Sequence, residues 1–240
     1  MENSSSPASS TTGVGVAGRL AAALTEAITT GRLSPGQRLV EADLQADYGA
    51  GRSSVREAIQ QLHAHGLVTL TTNRGASVRR LSRNDVSDLF VIRERLEGLA
   101  AFLAAHRVAA GLAAEPDLRQ LDTLLRRMGA VAATSPDALV YGQLNRELHR
   151  ALLALSANAE LVRLVHQLSL PIFHQQFQGF LQPQNQRISH AQHEAIVGAV
   201  LAGNTRGAET AMRRHVREGL IMVLSWPDEN FAPEDKVSRP

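Results

Sequence analysis

Four residues at the head of one stretch, GRSSVREAIQQLHAHGLV at 51–68, carry groups that bind anions: Arg52, Ser53, Ser54 and Arg56. They stand where a helix ordinarily avoids cations, because the positive end of the macrodipole favours acids in the first turn. On a 3.6-residue period Val55, Ala58, Ile59 and Leu62 make one apolar stripe, while Arg52, Arg56 and Gln60 fall at i, i+4 and i+8 on another, with Ser53 beside them. Guanidinium groups donate in pairs to guanine O6 and N7 or clamp a phosphate, and an amide pairs with adenine. DNA therefore supplies the negative charge that such a helix start lacks; a merely solvated face is the alternative reading. Arg38 precedes a neighbouring short helix, and Arg74-Gly75 occupies a hairpin tip, where a basic wing fits a minor groove.

A second set has ligand chemistry. Asn145 and His149 are four apart and share a helix face, His193 sits under Ile196 and Val197, and His215 lies within the stripe Ala208, Ala211, Met212, Gly219 and Met222. Three inward histidines and one amide oxygen make a divalent-metal site with positions left for water or ligand. Ordinary core histidines with hydrogen-bond partners are the alternative. Arg93 falls on the apolar stripe Val86, Leu89, Phe90, Leu96 and Ala100, and an inward arginine is costly unless paired. Its partner is either Glu97, four residues on, or a carboxylate ligand held between guanidinium and metal, and the reading leans to the second. Arg146 and His190 are adjacent polar groups for the same effector.

The elements that carry these residues follow from periodicity. Residues 16–31 have helical spacing and stop at Gly31, LSPGQRL makes a turn, EADLQADYG makes a short helix ending at Gly49, and VTLTTNRGASVRR reads as a two-stranded hairpin. Three helices and a hairpin in about 65 residues make a winged helix-turn-helix. From residue 85 to about 224 the period stays helical. Breaks fall near Gly111 to Pro116, Thr134 to Pro136, Ala157-Asn158, Gln182 to Asn185 and Gly203-Asn204, giving about six helices. The expected fold is mostly α: an N-terminal winged helix-turn-helix over 16–80, a linker at 81–84 and an all-helical bundle effector domain over 85–225. Residues 1–15 are expected as a disordered tail and 226–240 as a flexible one.

The chain has 240 residues, 44% of them hydrophobic, and a formal net charge of +2, so a packed core is affordable and the whole protein is not a polycation. The charge is local: between 52 and 83 stand six arginines (Arg52, Arg56, Arg74, Arg79, Arg80, Arg83) and one acid, Glu57. Cysteine is absent, which excludes disulfides, thiol nucleophiles and thiolate metal sites and fits a cytoplasmic location. No apolar run is long enough to predict a membrane span. The Ser/Thr-rich start, MENSSSPASSTTGVG, has neither the basic nor the apolar region of a signal peptide.

RSSVREAIQQLHAHGLV, preceded by LSPGQRLVEADLQADYG and followed by NRGASV, resembles the DNA-binding domain of the GntR family of bacterial transcription regulators over residues 17–80. The resemblance implies a homodimer whose recognition helices read the half-sites of a pseudo-palindromic operator in double-stranded DNA. It implies DNA contacts from Arg38, Arg52, Ser53, Ser54, Arg56 and Gly75. Gly51 stands where the family usually has Ser, which weakens the helix cap, and Ser54 where it often has Pro. Residues 84–222 resemble the all-helical FCD effector domain of the FadR subfamily through VIRERLEGLAA, N-x-x-x-H, the Asn158 turn, His-x-x-Ile and Met-Arg-x-His. This resemblance implies a divalent metal on Asn145, His149, His193 and His215, with Zn the first expectation and Ni or Mn open. Asn145 replaces a frequent Asp, leaving the site one charge more positive and suited to an anionic effector. The expected function is a regulator, not an enzyme, whose helical domain binds a small carboxylate effector through the metal and changes operator affinity. A metal-free regulator with a larger effector, such as an acyl thioester, is the alternative. A metal-dependent hydrolase is the remote one, since no nucleophile motif appears and Glu147 and Glu194 point away from the ligands.

Overall fold

The computed structural model describes residues 15–71, 75–134, 137–168, 173, 176 and 182–234. They fall into two compact units that divide after Arg79. Arg74, expected at the wing tip, lies outside the described residues, as do 1–14 and 235–240 of the expected tails.

The first unit contains α1 (Val16–Thr29), β1 (Arg38–Leu39), α2 (Glu41–Tyr48), α3 (Arg52–Ala64), β2 (Val68–Thr71) and β3 (Gly75–Val78). Leu20, Leu24 and Ile28 of α1 meet Val55, Ala58 and Leu62 of α3 in a closed apolar core. Gly49, in the left-handed region at φ 59°, ends α2 and allows the tight turn into α3. The sheet is antiparallel with order β1-β3-β2; Val68 pairs with Val78 and Arg38 with Ser77. Sequence pattern alone gives a two-stranded hairpin. The third strand is two residues of the expected LSPGQRL turn, too short to show alternation, and the Pro35-Gly36 turn lays it on the edge of β3.

The second unit contains α4 (Arg83–Ala109), α5 (Glu115–Thr134), α6 (Ala138–Leu155), α7 (Ala159–Leu168), α8 (Pro183–Leu201) and α9 (Thr205–Leu224), followed by a 3-10 turn at Asp228–Asn230. α4 is central, lying against α6, α7, α8 and α9. Three boundaries differ from the sequence reading. The expected linker at 81–84 is largely the start of α4: Leu81 and Ser82 are buried, and Ser82 and Asp85 form a reciprocal capping box. The break expected at Gln182 to Asn185 is the start of α8, with Pro183 in its first turn, where the missing N–H costs nothing. Residues 226–234, expected to be loose, fold back on α4. Phe231 is buried beneath the Arg83 guanidinium, which also reaches Asp228, and Ala232 N–H donates to Leu81. Proline content alone suggested a tail; an aromatic ring and an acid meeting the Arg83 guanidinium at the start of α4 outweigh it.

Candidate DNA-binding face and metal centre

In the first unit, α3 buries its apolar stripe and leaves Arg52, Ser53, Arg56 and Gln60 exposed, with Ser54 half-buried. Gly51 caps the helix without a side-chain bond, so the first-turn N–H groups stay open to an acceptor. A groove of about 700 Å³ brings Arg38, Arg56, Gln60 and Gly75 onto one surface. Gly75 has φ 81°, and open space surrounds the position of its missing Cβ, so it is the backbone that calls for glycine there. Sequence reasoning missed Glu41. Its carboxylate accepts from Arg56 Nε at 3.1 and 3.2 Å and stands 3.9 Å from Arg52 Nε. This pair is exposed, and nothing in the spacing along the chain joins α2 to α3.

In the second unit, α6, α8 and α9 deliver His149, His193 and His215 to one place, with one ligand nitrogen of each within 4.8 Å of the others. His149 Nε2 and His193 Nε2 are 3.2 Å apart. Two nitrogens each about 2.0–2.1 Å from a tetrahedral zinc are separated by about 3.3 Å, so the spacing fits two ligands of one ion. Every ring has its Nδ1 engaged from outside. His149 Nδ1 lies 2.6 Å from Glu97 Oε2, His193 Nδ1 3.4 Å from Ser189 Oγ, and His215 Nδ1 2.7 Å from Gln192 Oε1. Nε2 is thereby the free nitrogen of each ring. Asn145, one turn before His149, has Oδ1 buried without a hydrogen-bond partner among the described residues, as an unused ligand would be. The donor set therefore fits a divalent ion.

Burial first, and then the neighbouring histidines, drives His193 well below the ordinary imidazole range. Burial, with His149 next, brings His215 down to about 3. Both rings are thus neutral and able to ligate at neutral pH. Burial alone would raise Glu97, but the Arg93 guanidinium and His149 hold it well below the usual carboxylate range.

The residues expected around an effector are placed differently from one another. Arg93 is engaged with Glu97, Nε to Oε1 at 2.7 Å, and lies over the Phe90 ring. This is the partner that i, i+4 spacing offered and the sequence reading ranked second; the half-buried guanidinium takes the buried carboxylate beside it. Arg146 is exposed on α6 beside Asn145, without an ion pair among the described residues. The half-buried His190 ring packs on Gly129 of α5, with Nε2 3.7 Å from Glu194 and Nδ1 buried and unpartnered among the described residues. Ser189, Gln192 and the contact of Glu97 with His149 were not foreseen. Glu97 was visible only as a candidate partner of Arg93, and its contact with His149 spans 52 residues of chain.

The chain joins a winged helix-turn-helix, a DNA-binding architecture, to a helical unit with a buried polar centre. Comparison with known proteins agrees. Residues 16–78 match the bacterial regulatory proteins of the gntR family, and residues 88–218 match the FCD domain. The chain is 32% identical over 190 residues to the Nta operon transcriptional regulator of Aminobacter aminovorans, covering 79% of this chain and 86% of that protein. It is 28% identical over 224 residues to the HTH-type transcriptional regulator LutR of Bacillus subtilis, covering 85% and 99%. Among solved structures, a putative transcriptional regulator GntR from Rhodococcus sp. RHA1 superimposes with a TM-score of 0.68 at 25% identity, covering 87% of this chain and 97% of that one. The protein belongs to the gntR family and carries an FCD domain; it is a DNA-binding transcription regulator. No described helix is long and apolar enough to cross a membrane.

Proposed function

We propose that this regulator holds a divalent metal in its FCD domain, binds a small carboxylate effector there, and changes its affinity for a pseudo-palindromic operator as a cytoplasmic homodimer without enzymatic turnover. The observation that carries the reading is the convergence of three imidazole nitrogens, with the buried, unpartnered Asn145 Oδ1 one helical turn before His149. Asn145, His149, His193 and His215 are the proposed ligands, Zn the first candidate and Ni or Mn next. A bound divalent ion supplies Lewis-acid positions for a carboxylate oxygen.

The chain's own residues do the rest. An amide oxygen and imidazole nitrogens bring no negative charge to the proposed ligand set, so the open positions on the ion favour an anion. With Arg93 committed to Glu97, Arg146 and His190 are the polar groups left to meet the remainder of the effector. An acyl thioester has less support, because the described side chains shown to meet at the centre are polar: Glu97, His149, His193 and His215. Hydrolysis has less support too: Glu97, the carboxylate at the centre, accepts from Arg93 and is 2.6 Å from His149, so it is committed rather than poised over an open position.

On the DNA side, Arg38, Arg52, Ser53, Ser54, Arg56, Arg74 and Gly75 are the proposed contacts. One such unit reads one half-site, so a pseudo-palindrome calls for two copies. The test is fluorescence anisotropy on DNA from beside the protein's own coding sequence. Metal-stripped and zinc-loaded protein are compared across a panel of small mono- and dicarboxylates. A metal-dependent shift in operator affinity with at least one acid supports the reading; identical isotherms for stripped and loaded protein with every acid contradict it.

A further inference from the structure

Three outer partners hold the three histidines, and they are not equivalent. Gln192 is an amide whose nitrogen donates to Glu218, so its oxygen faces His215. Ser189 is a hydroxyl at 3.4 Å from His193. Glu97 is a carboxylate, 5% exposed and 2.6 Å from His149, and it comes from a different helix, α4. The Arg93 bond to it uses one nitrogen and one oxygen, Nε to Oε1, which leaves Oε2 for the imidazole. An ion pair serving only the packing of α4 would be expected to turn both oxygens to the guanidinium fork.

We propose that Glu97 is the positioning residue of this centre: anchored by Arg93, it fixes the His149 ring with Nδ1 protonated and Nε2 turned to the ion, and it lends the outer negative charge that Asn145 does not bring. The inference rests on the metal reading above. A carboxylate only accepts, so it selects a single tautomer of His149, the one that ligates through Nε2. A serine hydroxyl donates or accepts, so Ser189 tolerates either tautomer of His193. Outer carboxylates also raise the basicity of the imidazole they hold, and their loss typically costs 10–100-fold in metal affinity. The ranking follows: Glu97 matters most, Ser189 least.

The test is zinc competition against a chromophoric chelator on metal-stripped full-length protein, with thermal unfolding in chelator as the control for folding. E97Q is expected to weaken zinc about 10–100-fold and S189A less than about 3-fold, the remainder being set by the rings themselves. R93Q removes the anchor yet keeps the carboxylate beside His149, and is expected to weaken zinc less than E97Q does. Equal losses in E97Q and R93Q would overturn the proposal in favour of a packing pair, as would no loss in E97Q. Imidazole 15N spectra of the metal-free parent give an independent readout needing no variant. His149 as a fixed Nδ1–H tautomer is expected, and an Nε2–H or mixed tautomer overturns the proposal. A parent that binds no zinc at all would overturn the metal reading itself, which the other outcomes leave standing.

Discussion

The two units each gather charge around a carboxylate, and they do so in opposite surroundings. In the winged unit Arg56 and Arg52 share Glu41 at the surface, where their side chains are 57% and 69% exposed. In the helical unit Arg93 and His149 share Glu97, whose side chain is 7% exposed. The exposed group is bathed in water and salt and is worth about 0–1 kcal/mol, so it can be traded for phosphates without unfolding anything. The buried group has no such exchange available: removing one partner strands a charge, at about 3–5 kcal/mol. The first arrangement suits a surface that must let go and take up a polyanion. The second suits a scaffold that must hold its ligands still.

Breaking the buried side should give the largest effect. His193→Ala with His215→Ala is expected to abolish bound divalent metal, measured by elemental analysis after dialysis, while a DNA fragment is still bound in gel shifts. On the exposed side, Arg52→Ala and Arg56→Ala should each weaken operator binding by about 1–3 kcal/mol if they read bases. The fall should be smaller on unrelated DNA and should carry a shallower salt slope where a phosphate contact is lost.

How far the sequence revealed this contrast depends on the span of each contact. The helix at 52–64 and its two stripes were legible because helical period is local, and so were the three histidines as an inward set. Glu41 against Arg56 is 15 residues away along the chain, and Glu97 against His149 is 52; no periodicity reports such meetings. Arg93 shows the limit within a single helix. The spacing gave Glu97 as a partner, but choosing between a neighbour and an absent ligand needed the burial of both. The folded-back segment at 226–234 was misjudged because its composition is that of a tail, while its order comes from Phe231 and Asp228 meeting Arg83.

The pH response sharpens the comparison. His193 and His215 have pKa values lowered by burial, His215 to about 3. The unfolded chain, with histidines near 6.5, therefore binds more protons than the folded one below that pH. Their stabilising contribution is complete above about 6.5 and is lost progressively as pH falls toward 3. Urea denaturation of metal-free protein should show a falling midpoint from pH 7 to pH 4, and a flatter profile in the double His→Ala variant.

The smallest effects belong to the wing and to the surface pair. Gly75→Ala places a side chain at φ 81° in open space, so the cost is backbone strain alone, about 1 kcal/mol in thermal unfolding. Glu41→Gln should change stability by less than about 1 kcal/mol. It should raise affinity for any DNA slightly, because a carboxylate leaves the surface that phosphates approach. A large stability loss from Glu41→Gln would erase the distinction between the two carboxylates.

The central claim is that the helical unit is a metal centre, and the most direct measurement is the metal content of the purified full-length protein. Elemental analysis by mass spectrometry, after stripping and reloading with zinc, should give close to one ion per chain, displaced by nickel or manganese only in excess. A protein that takes up no divalent ion, or takes it up equally when His193 and His215 are alanine, would contradict the account.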